Sequence, residues 1–195
     1  DLIIPGGIIE NLRIRYAGMH HIENAVAATA LAWLSGAPEA NIRDGLADFT
    51  GVKRRFEYIV KTSGFAYIDD YAHHPREIAA TLEAARSLFP GRKITGVFQP
   101  HLYTRTRDFA DEFAEILSQF DEIILTDIYP ARELPILGIS SQMILDKMSL
   151  NKKTLCSYET LVDYIGQNLG TDVLITMGAG DIDRLVNPIS KLFRQ

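Results

Sequence analysis

The residues best equipped for chemistry lie together in Asp69-Asp70-Tyr71-Ala72-His73-His74-Pro75, where seven positions hold two carboxylates, a phenol and two imidazoles. Carboxylates accept hydrogen bonds, imidazoles exchange protons near neutral pH, and a phenol both donates and accepts. Three readings of the stretch stand side by side. As a metal site it offers Asp and His ligands, but adjacent His73 and His74 diverge in an extended segment, and no CxxC or HExxH spacing accompanies them. As a structural element, His74 caps a helix that Pro75 begins, while Asp69 or Asp70 satisfies loop amides. As a binding edge, a carboxylate accepts from a ribose diol while the imidazoles contact a charged substrate.

A second group lies at Gln99-Pro100-His101-Leu102-Tyr103-Thr104-Arg105-Thr106-Arg107. The fork of a guanidinium matches the two oxygens of a carboxylate, so Arg105 with His101 beside it can clamp one. Arg107 reads instead as a partner for Asp108 or Asp111 on a solvated helix face. Met177-Gly178-Ala179-Gly180-Asp181 is either a phosphate-cradling loop or a tight turn from strand to helix. The chain contains neither GxxxxGK[ST] nor GxGxxG, so any nucleotide chemistry needs a phosphate loop from elsewhere.

Positioning these groups requires strands that end where they begin. Leu2 to Ile4 and Ile8 through Ile14, around Pro5-Gly6-Gly7, predict two short strands. An Ala-rich helix over 21–34 is expected to be buried on most sides, and Pro38 opens another. Tyr58 to Val60 and Phe65 to Ile68 predict a hairpin. From there apolar strands (94–98, 123–125, 153–156, 173–177) alternate with helices (from 75, from 104, 140–148, 158–169, 181–193). Strands apolar on both faces between helices predict an α/β fold with a doubly wound, mostly parallel, Rossmann-like sheet, preceded by a small α-rich remnant of a second domain. The boundary is expected near 56, giving domains 1–56 and 57–195. Ligands of such sheets bind at the carboxyl ends of the strands, where DDYAHHP, QPH, Asp127-Ile128-Tyr129-Pro130 and MGAGD all fall.

With 195 residues, 47% hydrophobic, 23% charged and a net charge of -5, the composition is that of a soluble globular protein. That charge argues against a sequence-independent nucleic-acid binder, and no apolar run reaches the length of a membrane span. The single cysteine, Cys156, fits a reducing compartment and reads as a small buried hydrophobe. The first residue is Asp1, and the expectation is a piece of a longer protein.

Six ordered motifs give the chain a likeness. Gly18-Met19-His20-His21-Ile22-Glu23-Asn24-Ala25-Val26-Ala27-Ala28 resembles the GxHNxxNxxAA stretch of the Mur ligases, and Gly51-Val52-Lys53-Arg54-Arg55-Phe56-Glu57 resembles the segment that closes their central ATPase domain. DDYAHHP, QPHLYTRTR, Asp127 to Glu133 and MGAGDI are similar to the branch that joins L-alanine to UDP-N-acetylmuramate in peptidoglycan precursor synthesis, a cytoplasmic reaction.

The resemblance implies the end of a central ATP-binding domain followed by the carboxyl-terminal ligase domain. It implies that Asn24 contacts adenine, Arg55 faces the ATP phosphates and Asp70 holds the ribose hydroxyls. His21 stands where a first Asn is usual. Tyr71, His73, His101 and Arg105 would line the side where alanine meets the muramoyl group, with His73 a candidate base. ATP and Mg2+ are the implied cofactors. The metal ligands and phosphate loop would lie upstream, so no residue here is assigned to metal, and this chain by itself is expected to be inactive. A tripeptide-recycling UDP-N-acetylmuramate ligase and a non-catalytic nucleotide-binding α/β module are the alternatives.

Overall fold

A computed structural model describes residues 1–14 and 19–194, so Gly18, which opens the first motif, lies outside the described residues. Two compact units divide between Val52 and Lys53. This is four residues before the expected boundary, because residues 53–56 are bonded into the second unit: the Tyr71 amide donates to the Arg54 carbonyl (2.7 Å) and the Phe56 amide to the Asp70 carboxylate (2.8 Å).

The first unit holds a hairpin of β1 (Leu2–Ile4) and β2 (Gly7–Ile9), then α1 (Met19–Leu34) and α2 (Glu39–Asp48). Pro38, extended at the N-cap of α2, starts that helix where the sequence places it. The expectation that α1 is buried on most sides is corrected. Thr29 is its one buried side chain among those described, while Leu31 and Leu34 are 68% and 78% exposed. A two-stranded hairpin and one ten-residue helix offer too little surface to cover a sixteen-residue apolar helix.

The second unit is a six-stranded sheet in the order β3-β4-β8-β5-β6-β7, comprising β3 (Glu57–Lys61), β4 (Ala66–Asp70), β5 (Ile94–Phe98), β6 (Glu122–Leu125), β7 (Lys153–Leu155) and β8 (Val173–Met177). β3 runs antiparallel to β4, and all other pairings are parallel. Strands β4, β8 and β5 are buried at every position; β8 and β5 accordingly read as largely apolar runs, whereas β4 closes on two buried aspartates.

Helices cover both faces. α3 (Pro75–Leu88), α5 (Ala110–Leu117) and α6 (Ser141–Lys147) contribute Ile78, Leu82, Phe113, Leu117 and Ile144 to a core over Ile68, Phe98 and Ile175. On the other face, α7 (Leu161–Asn168) and α8 (Asp183–Lys191) bring Leu161, Ile165 and Ile189 against Tyr67, Val97, Ile124 and Leu174. Alternate strand residues serve opposite cores, as the two-residue period of a strand demands.

Two sequence expectations shift. The helix expected from Thr104 breaks at Phe109 (φ -118°, ψ 21°) into α4 (Tyr103–Asp108) and α5. Strand β4 runs on through Asp70, so Asp69 and Asp70 are strand residues, 1% and 8% exposed, rather than loop residues. No helix among the described residues is long and apolar enough to cross a membrane.

Candidate functional site

Two carboxylates at the end of a central, fully buried strand demand partners, since an unpaired buried charge is strongly unfavourable. Asp69 finds two polar partners. Its Oδ1 accepts from the Thr176 hydroxyl at 2.6 Å, and its Oδ2 takes the Arg54 Nε at 3.0 Å in an ion pair in which the Arg54 side chain is 17% exposed. The Thr176 hydroxyl in turn lies 3.3 Å from that of Tyr67, whose phenol burial pushes far above its usual range.

Asp70 works locally. Its Oδ1 accepts from the Ala72 amide and its Oδ2 from the Phe56 amide, both at 2.8 Å. Burial pushes both carboxyls above the ordinary range, in opposition to these hydrogen bonds and to the cations Arg54 and Arg55. Each oxygen of Asp70 keeps a second acceptor position, because a carboxylate offers about four. The loop-amide reading of Asp70 thus describes what its carboxylate does within this chain.

The segment before β3 is shaped to match. Arg54 and Phe56 both adopt left-handed backbone, at φ 58° and 50°. That conformation costs a residue with a side chain about 1–2 kcal/mol, so the surroundings must hold it. They do: the Arg54 amide donates to Glu57, the Phe56 amide to Asp70, and the Phe56 ring is buried. Arg54 turns inward, its guanidinium 5.1 Å from the Tyr71 ring centre and donating to the Gly178 carbonyl. Arg55, between them, is exposed. The sequence reading singled out Arg55 and missed Arg54, whose only signal was its place beside Arg55 in a run of three cations.

Beyond β4, the next residues leave the sheet. His74 is extended (φ -120°, ψ 146°) and caps α3: its Nδ1 accepts from the Arg76 amide, while Glu77 reaches back to the amides of His73 and His74. The reciprocal pattern is a capping box, with Pro75 at the first helical position where its missing N–H is harmless. His74 is thereby committed to structure, its ring edge-on to Phe109.

His73 goes the other way. Its ring lies 5.3 Å from that of Tyr71 and 6.1 Å from that of His101, and its Nδ1 approaches Glu77 at 3.1 Å. His101 follows β5 and is stacked on Tyr129 (5.7 Å), with the two residues forming a parallel bridge that extends the sheet past β5 and β6. Arg105 on α4 brings Nη1 to 3.5 Å from His101 Nδ1, at the limit of a hydrogen bond. Burial, then the nearby cation Arg105, lowers the His101 pKa. Both effects favour the neutral imidazole, beside the cation Arg105. Tyr71, His73, His101 and Arg105 accordingly form one continuous row along the carboxyl edge of the sheet. Arg107 pairs with Asp108 at 2.7 Å on an exposed face, as its spacing suggested.

The glycines after β8 are close-approach residues. At Gly178 (φ 145°) a Cβ would lie 2.8 Å from the Gln99 carbonyl oxygen, and at Gly180 it would meet the Gln99 side chain and Tyr129 Cγ (2.6 Å). Gln99 uses both ends of its amide, donating to Asp181 (2.9 Å) and accepting from the Ile182 amide (3.0 Å). This is the tight strand-to-helix turn of the two readings. Sequence inspection missed Gln99 as its anchor, since the partners lie more than eighty positions away.

Asn24 sits on the exposed side of α1 in the first unit. Among the described residues no three His, Cys, Asp or Glu side chains are grouped to hold a metal ion.

Comparison with known proteins adds an independent line. The family described as "Mur ligase, glutamate ligase domain" matches residues 54–180. The chain is 51% identical over 192 residues to UDP-N-acetylmuramate--L-alanine ligase of Parabacteroides distasonis, covering 98% of this chain and 41% of that protein. It is 48% identical to the ligase of the same name from Flavobacterium johnsoniae, covering 100% and 43%. The crystal structure of UDP-N-acetylmuramate-alanine ligase from Thermotoga maritima superposes with a TM-score of 0.76 at 28% identity, covering 96% of this chain and 41% of that one. The chain thus spans about two fifths of the length of the curated relatives it matches.

Proposed function

Because this chain belongs to the Mur ligase family, we propose that it is the carboxyl-terminal part of an ATP-dependent ligase that joins L-alanine to UDP-N-acetylmuramate. On this reading residues 1–52 are the end of a central ATP-binding domain, and the remainder is the ligase domain. The reaction is amide formation: ATP converts the muramoyl carboxylate to an acyl phosphate, and the alanine amine displaces phosphate from it.

The observation that carries the reading is the row Tyr71-His73-His101-Arg105 at one strand edge. Arg105 offers a fork to the alanine carboxylate, and His101 offers a hydrogen bond beside it. Holding the amino acid by its carboxylate leaves the amine to face the acyl carbon, so the entropy of association is met in binding rather than at the transition state. His73, 6.1 Å from His101 by ring centres, is the candidate acceptor of the ammonium proton. Exposed Arg55 would offset charge on the phosphoryl oxygens. Asn24 would contact adenine, and the two acceptor positions left on Asp70 would meet the ribose hydroxyls.

Arg105→Ala in the full-length protein tests this. Loss of a charge-assisted carboxylate contact should raise KM for L-alanine by about 10- to 100-fold, from about 1.5–3 kcal/mol, while KM for ATP stays within about twofold. Phosphate release measured against each substrate gives both constants. Equal rises for alanine and ATP would refute the clamp.

A further inference from the structure

α4 begins without any of the usual means of starting a helix. Its N-cap is Leu102, left-handed at φ 71°, with no side-chain cap of its own. The first turn of a helix carries amides that have no partner inside it, and a nearby acceptor normally takes them. Here the acceptor comes from 29 positions away. Glu133, in the segment that follows β6, takes the Thr104 amide on Oε2 (3.0 Å) and the Thr104 hydroxyl on Oε1 (2.5 Å). A second bond from the same segment runs from the Leu102 amide to the Tyr129 carbonyl (2.9 Å).

The segment itself is folded to deliver this carboxylate. Ala131 is left-handed (φ 51°), and the Glu133 amide closes back on the Pro130 carbonyl at 2.9 Å. The bonds from Thr104 hold the Glu133 carboxyl below its ordinary range. The acceptor is thus ionised throughout the neutral region, and a negative charge at the start of a helix is favourable. Thr104 precedes Arg105 directly, and the Arg105 guanidinium must meet a carboxylate in a planar, two-point geometry that tolerates little displacement.

We propose that Glu133 is a positioning residue for amino-acid binding, fixing the first turn of α4 so that Arg105 and His101 are held ready for the substrate carboxylate. The inference rests on the reading of Arg105 given above. Glu133 touches no substrate in it. It acts through Thr104, and the segment after β6 becomes a brace for the amino-acid site rather than a connection.

The full-length enzyme carrying Glu133→Ala, Glu133→Gln, Thr104→Val and Arg105→Ala, assayed by phosphate release with each substrate varied in turn, tests this. Glu133→Ala should raise KM for L-alanine about 10-fold, consistent with losses that follow small misplacements, and leave KM for ATP and for UDP-N-acetylmuramate within about twofold. Glu133→Gln keeps an acceptor for Thr104 and should recover most of that loss, and Thr104→Val, which retains the amide bond, should show a smaller rise in the same constant. Added to Arg105→Ala, Glu133→Ala should raise KM for alanine no further, because both act on one contact. A Glu133→Ala variant whose three KM values move together, or whose effect adds in full to that of Arg105→Ala, overturns the positioning role while leaving the clamp intact. If Arg105→Ala leaves KM for alanine unchanged, the clamp and the inference built on it both fall.

Discussion

Gly180→Ala probes the junction between the fold and the site. The added methyl would sit 2.6 Å from Tyr129 Cγ and 2.7 Å from Tyr129 Cβ, and closer still to the Gln99 side-chain oxygen. Ordinary carbon contacts lie near about 3.5–4.0 Å, so Tyr129 must retreat by roughly 1 Å or the turn must open. Gln99 cannot yield cheaply, because it is 3% exposed and bonded to both Asp181 and the Ile182 amide. Tyr129 cannot yield silently, because its ring stacks on His101 and its backbone holds Leu102. Overpacking of this kind costs about 1–3 kcal/mol. For a chain of this size each kcal/mol lowers Tm by about 2–4 °C, so a fall of roughly 2–12 °C is expected by circular dichroism on the whole chain. In the full-length protein a displacement of His101 should also raise KM for alanine. A Tm within about 1 °C of the parent with an unchanged KM would refute the close-approach argument.

Two further outcomes follow from the buried carboxylates and the helix cap. Burial raises the Asp69 pKa in the fold, so between the unfolded value of about 3.9 and that raised value the native state binds more protons than the unfolded one, and stability falls as pH rises. Asp69→Asn removes that dependence, so its penalty in urea unfolding should be larger at pH 4 than at pH 7.5. A penalty that grows with pH would mean that the Arg54 pair outweighs burial. His74→Ala should cost about 1 kcal/mol through loss of the α3 cap, and His74→Asn should recover most of it; equal losses in the two variants would show that the ring's contact with Phe109 matters more than the cap.

The sheet was legible because its central strands are apolar on both faces, a pattern that strands between two helical layers share and few other elements do. The break at Phe109 was hidden for the opposite reason: Phe109, Phe113, Ile116 and Leu117 keep a helical period across it, and a period records which face is buried rather than whether the backbone is continuous. The exposure of α1 was hidden too, since apolar content shows that a surface is suited to burial without showing what covers it. At the site, DDYAHHP and QPH could be placed at one edge because each follows a strand and the strands are parallel, while the choice of Tyr71, His73, His101 and Arg105 came from the likeness to the Mur ligases.

What hid the remainder of the site is sequence distance combined with the ambiguity of a carboxylate. Asp69 and Asp70 are adjacent and chemically identical, yet one faces Thr176 and Arg54 within the sheet while the other turns to the amides of Phe56 and Ala72. Opposite facing is forced by the strand period once β4 is known to include both. Asp is rare in strands, so the pattern alone ended the strand at Ile68 and placed both side chains in a loop. The same step explains why Arg54 escaped notice: it is needed only if Asp69 is buried. A buried charge at a strand end therefore implies an inward cation from a neighbouring segment, and the inward member of a basic run is the one to seek when an acidic pair closes an apolar strand.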